Sequence, residues 1–248
     1  MNHPPKPSTA ARRSAGRRLL LAAAIFLALL IGGWQLSKSR SFQFYGGLVT
    51  RIDTDDPVVA LTLDDGPSPQ GTEPVLALLD SLDIRATFFV TGHELERRPD
   101  LGRRILEAGH ALGNHSYSHR ALVLRSQAFI QREVDETDSL IRAAGVEGDI
   151  PFRPPYGKRL LCLPRYLHRT GRTTVLWDVE PESYREIARS AERITAHVLE
   201  RVRPGSIVLL HVMYSSGEES RRALPMIVGG LRSRGYRFVT VQELLARR

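Results

Sequence analysis

Val58-Val59-Ala60-Leu61-Thr62-Leu63-Asp64-Asp65-Gly66 (58–66) sets a mostly apolar run directly against two carboxylates and a glycine. A short apolar run closed by turn residues reads as a buried strand. Two adjacent carboxylates at its end repel each other, and desolvation makes this worse. The pair becomes favourable if a cation binds one and a cationic side chain supports the other. Taken alone, Asp-Asp-Gly is also an ordinary turn.

Outward from this strand the chain alternates. Helical patterns fall at 72–82, 94–108 (stopped by Gly109), 126–144 (ending at Gly145), 160–170, 185–202 and 219–234. Strand-like runs fall at 86–90, 111–113, 150–152, 173–177, 207–210 and 237–241. Such alternation implies an α/β fold with a parallel sheet covered on both faces and right-handed connections. An open doubly wound sheet and a closed barrel both satisfy the pattern. Asp64, Asp65, His115, Arg153, Asp178 and His211 each follow the C-terminal end of a strand. That is where a barrel of this class gathers its active site, so the barrel is favoured.

The 248 residues allow one domain of barrel size, with 42% hydrophobic residues to fill a large core. The formal charge of +8 is unevenly placed. Of 35 basic residues, seven lie in residues 1–40 (Lys6, Arg12, Arg13, Arg17, Arg18, Lys38, Arg40), where there is no acidic one; the remaining 28 meet all 27 acidic residues. The folded part is nearly neutral, which gives no reason to expect a nucleic-acid partner. Cys162 is the only cysteine, so neither an intrachain disulfide nor a cysteine-cluster metal site can form.

Residues 12–18 are basic and 19–34 read LLLAAAIFLALLIGGW. Basic then apolar is the layout of a secretory signal or a signal anchor. No small-x-small cleavage site follows, and Gln35 and Leu36 can extend the run toward the roughly 17–25 residues of a span. An anchor is therefore preferred to a cleaved signal, and the preceding arginines place the rest of the chain outside the cytoplasm. The expected organisation is a basic cytoplasmic tail (1–18), an anchor or signal (19–36), a linker (37–56) and one domain (57–248). The domain is periplasmic or extracellular, and secreted if the segment is cleaved.

Three further segments carry chemistry. Asn114-His115-Ser116-Tyr117-Ser118-His119 offers two imidazoles four apart, on one face if the segment is helical. With Asp65 they make two neutral nitrogens and one carboxylate, leaving open positions for water and substrate as catalytic zinc requires. Phe152-Arg153-Pro154-Pro155-Tyr156-Gly157 fixes an extended backbone through its prolines, and Arg153 can pair with Asp64 and hold it ionised. Ser206-Ile207-Val208-Leu209-Leu210-His211 ends a buried strand in a histidine, a candidate proton donor or acceptor.

Together these segments resemble the NodB-homology domain of polysaccharide deacetylases, carbohydrate esterase family 4, over roughly residues 57–245. The family segments TFDDG, HSxxH, RPPY, a tryptophan-containing acidic segment and LLH have counterparts here, in order. They are TLDDG (62–66), HSYSH (115–119), RPPYG (153–157), WDVEPESY (177–184) and LLH (209–211). The resemblance implies a distorted (β/α) barrel, here preceded by a transmembrane or signal helix, that removes acetyl from an acetylated polysaccharide or oligosaccharide. By position, Asp65, His115 and His119 would bind a divalent metal. Zinc is the first choice, with cobalt, nickel or manganese also able to fit. Asp64 would be the general base, Arg153 its partner and His211 the general acid. The backbone N–H of Tyr156 would help bind the oxyanion, and Leu209 would line the acetyl pocket. Trp177 and Tyr184 are further candidates for contact with a sugar.

The acidic segment departs from the family pattern WDVDxxDW. Glu180, Ser183 and Tyr184 stand where the family often has two aspartates and a tryptophan, and Val212 where an aspartate often follows LLH. Ser183 cannot supply the charge that usually partners the catalytic histidine, so Glu180 or Glu182 would have to reach it. The competing readings are a membrane-anchored carbohydrate-binding pseudoenzyme, a metal hydrolase of the same barrel acting on a non-sugar amide, and a structural protein with packed histidines.

Overall fold

The computed structural model describes residues 9–247; residues 1–8 of the expected basic tail lie outside them. A long first helix, α1 (Thr9–Ser37), leads into the domain. Over Arg17–Ser37 it is long and apolar enough to cross a membrane, and its apolar side chains are exposed rather than packed on protein. A helix apolar all round and uncovered by protein has no stable place in water.

The barrel strands are β1 (Leu48–Val49), β2 (Val58–Asp64), β3 (Thr87–Val90), β4 (Ala111–Asn114), β5 (Thr174–Val175), β6 (Ser206–Leu210) and β7 (Arg237–Val239). Every pairing between them is parallel. β2 pairs with β6 along one edge, while β3 and β7 share the other edge, β7 at Val58–Ala60 and β3 at Thr62–Asp64. Single bridges carry the wall round from β4 through Phe152 to β5, and from Val179 back to Val208 of β6. This α/β wall is a distorted barrel whose far side is made of isolated bridges rather than long strands.

Alternation along the strands separates two cores. Val59, Leu61 and Leu63 of β2, with Val208 and Leu210 of β6, face outward to the covering helices. Those helices include α2 (Thr72–Ser81), α7 (Ala191–Arg201) and α8 (Glu218–Arg232). Val58 and Ala60, with Phe89, Ile207 and Leu209, fill the interior. Thr62 and Asp64 continue that inward row, which brings the carboxylate to the C-terminal mouth of the barrel.

The structure differs from the sequence reading in several places. The pattern at 94–108 is two helices, α3 (Gly92–Arg97) and α4 (Pro99–Glu107). Pro99 forces Arg98 out of the helical region, to φ −138° and ψ 64°. After α5 (Gln127–Ala144) and α6 (Cys162–Arg169), the pattern at 185–202 becomes helical only at Ala191, where Ser190 caps the first turn. The run at 237–241 ends early because Thr240 and Glu243 form a capping box that starts α9 (Val241–Leu245). The segment 37–56 is no free linker. Val49 and Ile52 are buried in the interior core, Ser37 is fully buried, and β1 pairs with β5.

Candidate metal centre and its pocket

Asp64 and Arg153 meet in the barrel interior, both almost without solvent contact. Arg153 Nη1 donates to Asp64 Oδ1 at 2.5 Å and to Thr62 Oγ1 at 2.8 Å. Its other nitrogens donate to the carbonyls of Val175 and Leu176 at 3.3 and 3.0 Å. The guanidinium lies 3.9 Å from the Phe89 ring centre. Burial pushes the Asp64 carboxyl up, while the Arg153 guanidinium and His211 pull it down. The arginine is thus the group that opposes neutralisation of a carboxylate held out of water.

Asp65 follows with φ 66°. Its Oδ1 lies 3.3 Å from His119 Nε2 and 3.8 Å from His115 Nε2. The two histidines do not sit on a helix. Ser116 and His119 take left-handed φ values of 66° and 54°, so the segment is a tight loop. Side chains hold it: Asn114 Oδ1 accepts from the Ser116 N–H at 2.8 Å, and Ser116 Oγ accepts from the His119 N–H at 3.2 Å. Glu133 of α5 accepts from the Ser118 N–H and hydroxyl at 2.9 and 2.6 Å. Period-based reading cannot foresee such a loop, because its bonds replace the helix ladder.

These three side chains suit a divalent cation. One ligand atom from each of Asp65, His115 and His119 lies within 4.8 Å of the others. Asp65 Oδ1 is buried and has no hydrogen-bond partner, a costly state for a carboxylate oxygen unless a cation meets it. His115 Nδ1 is 2.8 Å from the Arg153 carbonyl, which leaves Nε2 facing the cluster. Burial pushes the His115 imidazole down to about 3, so it is neutral, the form that ligates.

His211 sits in the same pocket, just past β6. Its Nδ1 forms a close pair with Glu182 Oε2, and its N–H donates to both oxygens of that carboxylate at 3.0 Å. Ser220 also donates to Glu182. Burial would lower the His211 pKa, but the Glu182 hydrogen bond and the charges of Asp64, Glu182 and Asp65 outweigh it and hold it up to about 9. Glu180, the other candidate, is engaged elsewhere. Its Oε2 accepts from Trp177 Nε1 at 2.8 Å, Ser183 Oγ at 2.6 Å and Arg40 Nη2 at 2.9 Å. Val212 is fully buried in the outer core.

The pocket has a volume of about 430 Å³ and contains Asp64, Asp65, His115, His119, His211, Tyr156, Trp177 and Leu209. Leu209 and Trp177 are buried, so each shows the pocket only a small surface. Tyr156, at φ 58°, is exposed and its ring lies 4.9 Å from that of His119. The turn around it is closed by the N–H groups of Gly157 and Lys158 bonding back to Pro154 and Pro155. Tyr184 is a correction: it is exposed, its ring lies tilted 5.1 Å from that of His197, and it does not line the pocket. Asp178 is a second one. It accepts from Ser206 Oγ at 2.7 Å and the Ile207 N–H at 2.9 Å, at the start of β6 and away from the mouth. The sequence reading missed Lys38, Arg40 and Lys158, which also line the pocket. In the sequence Lys38 and Arg40 read only as part of the basic stretch 1–40.

A family profile described as polysaccharide deacetylase matches residues 51–175. A peptidoglycan-N-acetylglucosamine deacetylase of Bacillus cereus is 33% identical over 200 residues, covering 80% of this chain and 93% of that one. A chitooligosaccharide deacetylase of Bradyrhizobium sp. is 36% identical, covering 75% and 90%. Among solved structures, the Bc1960 peptidoglycan N-acetylglucosamine deacetylase superposes with a TM-score of 0.73 at 31% identity, over 79% of this chain and 91% of that one. A carbohydrate esterase family 4 pseudoenzyme of Bacillus anthracis gives 0.69 at 26% identity, over 79% and 68%.

Proposed function

The chain belongs to the polysaccharide deacetylase family, and from that premise we propose that it hydrolyses N-acetyl groups from hexosamines of a cell-envelope or extracellular polysaccharide. Relatives named as N-deacetylases of peptidoglycan and of chitooligosaccharides support N-acetyl over O-acetyl. The observation that carries the reading is one pocket holding a carboxylate–histidine–histidine cluster, an arginine-supported carboxylate and a carboxylate-paired histidine.

In this reading Asp65, His115 and His119 hold the cation, with zinc the first choice and cobalt, nickel or manganese also suited to the donor set. When bound, a divalent cation supplies Lewis acidity, which polarises the acetyl carbonyl and acidifies water. Asp64 accepts the proton of the attacking water, and Arg153 keeps it ionised for that task. The Tyr156 N–H donates to the developing oxyanion, while Leu209 and Trp177 bound the slot for the acetyl methyl. His211 protonates the sugar nitrogen, which cannot leave as an amide anion, and Glu182 orients the ring and stabilises its charged form. No serine or cysteine nucleophile is required. α1 acts as a retained anchor, and the barrel works outside the cytoplasm.

An acetate-release screen over N-acetylated envelope glycans tests this, with Asp64→Asn as the control. Release by the metal-loaded wild type and not by the variant is expected. Absence of release from every glycan with metal bound would contradict it.

A further inference from the structure

One wall of the pocket is not made by the barrel. Lys38 and Arg40, directly after α1, line the pocket that contains the candidate metal cluster. They are fixed there. Arg159 is almost fully buried and is committed to this segment: its N–H donates to the Ser37 carbonyl at 2.9 Å, and Nη2 donates to those of Ser39 and Phe42 at 2.6 and 3.2 Å. Arg40 pairs with Glu180 at 2.9 Å and lies 5.0 Å from the Trp177 ring.

The apolar run of α1 ends at Trp34, a residue type suited to the bilayer interface. Lys38 lies about one helical turn beyond it, roughly 6 Å along the axis. Short contacts connect the two regions. The Lys158 ammonium is 4.8 Å from the Trp34 ring and 5.2 Å from the Tyr156 ring, and Tyr156 lies 4.9 Å from His119. With α1 in a membrane, the pocket mouth therefore stands at headgroup level. A pocket at that level is within reach of a saccharide borne by the membrane.

Charge narrows the class further. The Lys38 ammonium lies 4.5 Å from the Trp34 ring. Neither Lys38 nor Lys158 has a carboxylate partner among the described residues. Aromatic faces hold the two ammonium groups in place without consuming their N–H donors. Two such groups beside a sugar pocket form a receptor for phosphate oxygens.

We propose that the substrate is an N-acetylated saccharide joined to a membrane lipid through a phosphate or diphosphate, with Lys38 and Lys158 binding that linkage. This rests on the deacetylase reading above and assigns its substrate class.

The test uses the full-length, zinc-loaded chain in phosphatidylcholine vesicles. Three probes carry one N-acetylglucosamine disaccharide: linked by diphosphate to a polyprenol, linked to a long alkyl chain through an uncharged glycosidic bond, and free. A kcat/KM for the diphosphate probe roughly tenfold or more above the uncharged lipid probe is expected. In the Lys38→Ala/Lys158→Ala variant that ratio should fall toward one, mainly through a higher KM for the diphosphate probe. Equal rates on the two lipid-borne probes, or the highest rate on the free sugar, would overturn the inference while leaving deacetylation intact. If vesicles containing phosphatidylglycerol raise the rate on the uncharged lipid probe to the diphosphate level, headgroups occupy the lysines and the inference fails. No release from any probe would sink the deacetylase reading and this inference together.

Discussion

Arg153 and His211 each pair with a carboxylate, Asp64 and Glu182, and they are held by different means. Arg153 is fully buried, its nitrogens fixed by backbone carbonyls, Thr62 and Asp64, its face against Phe89. His211 has a side chain 40% exposed, and its ring is positioned by one carboxylate from a 3₁₀ turn, Pro181–Ser183. In the proposed mechanism the base half, Asp64 with Arg153, is over-determined by the barrel itself. In the proposed mechanism the acid half depends on the one carboxylate, Glu182, that this turn brings to the imidazole. Glu182 thus supplies the charge beside His211 that Ser183 cannot, while Ser183 bonds Glu180.

Substitutions at the two cations should separate the halves. Arg153→Met strips Asp64 of its partner in the interior, and breaking a buried pair in this way costs about 3–5 kcal/mol. Chemical denaturation should show that loss, together with loss of acetate release. By contrast, His211→Asn removes a partly exposed pair and should cost less stability than Arg153→Met, yet lower kcat by roughly 10²–10⁴, the usual contribution of a general acid. A stability loss equal to that of Arg153→Met would erase the distinction drawn here.

Glu182→Gln sharpens the acid half. With Glu182 present His211 stays protonated until pH rises through about 9. The stabilisation from this pair is full below the ordinary histidine value of about 6.5 and is lost as pH climbs through the raised one. Removing the carboxylate leaves burial less opposed, so the alkaline limb of the pH–rate profile should move to lower pH. A limb left in place would show that Glu182 does not tune His211. The smallest effect belongs to the outer wall. Arg40→Ala removes a half-exposed ion pair, and its stability cost should stay within about 1 kcal/mol, measurable as a slight midpoint shift.

Legibility followed the same division. Strand β2, its two terminal carboxylates and Arg153 could be read because the barrel's alternation and strand ends are written locally. The His115–His119 loop was read in composition but not in shape: its left-handed residues are enforced by Asn114 and by Glu133 from α5. Glu182 could be narrowed only to one of two, since Pro181 sets the turn that aims it at His211 and aims Glu180 at Trp177. The wall at 37–43 was hidden altogether. Its partner Arg159 is more than a hundred residues away, so no local pattern joins the two. A Thr-x-x-Glu signature at 240–243 was present and would have revealed α9.

The most direct test of a metal-centred deacetylase is acetate release from an N-acetylated chito-oligosaccharide by protein stripped with chelator and titrated with zinc. The account predicts silence in the stripped protein and activity that rises to a plateau at one zinc per chain, with Asp65→Asn binding little metal and releasing no acetate. Full activity without metal, or one bound zinc and no release from any acetylated glycan, would contradict it.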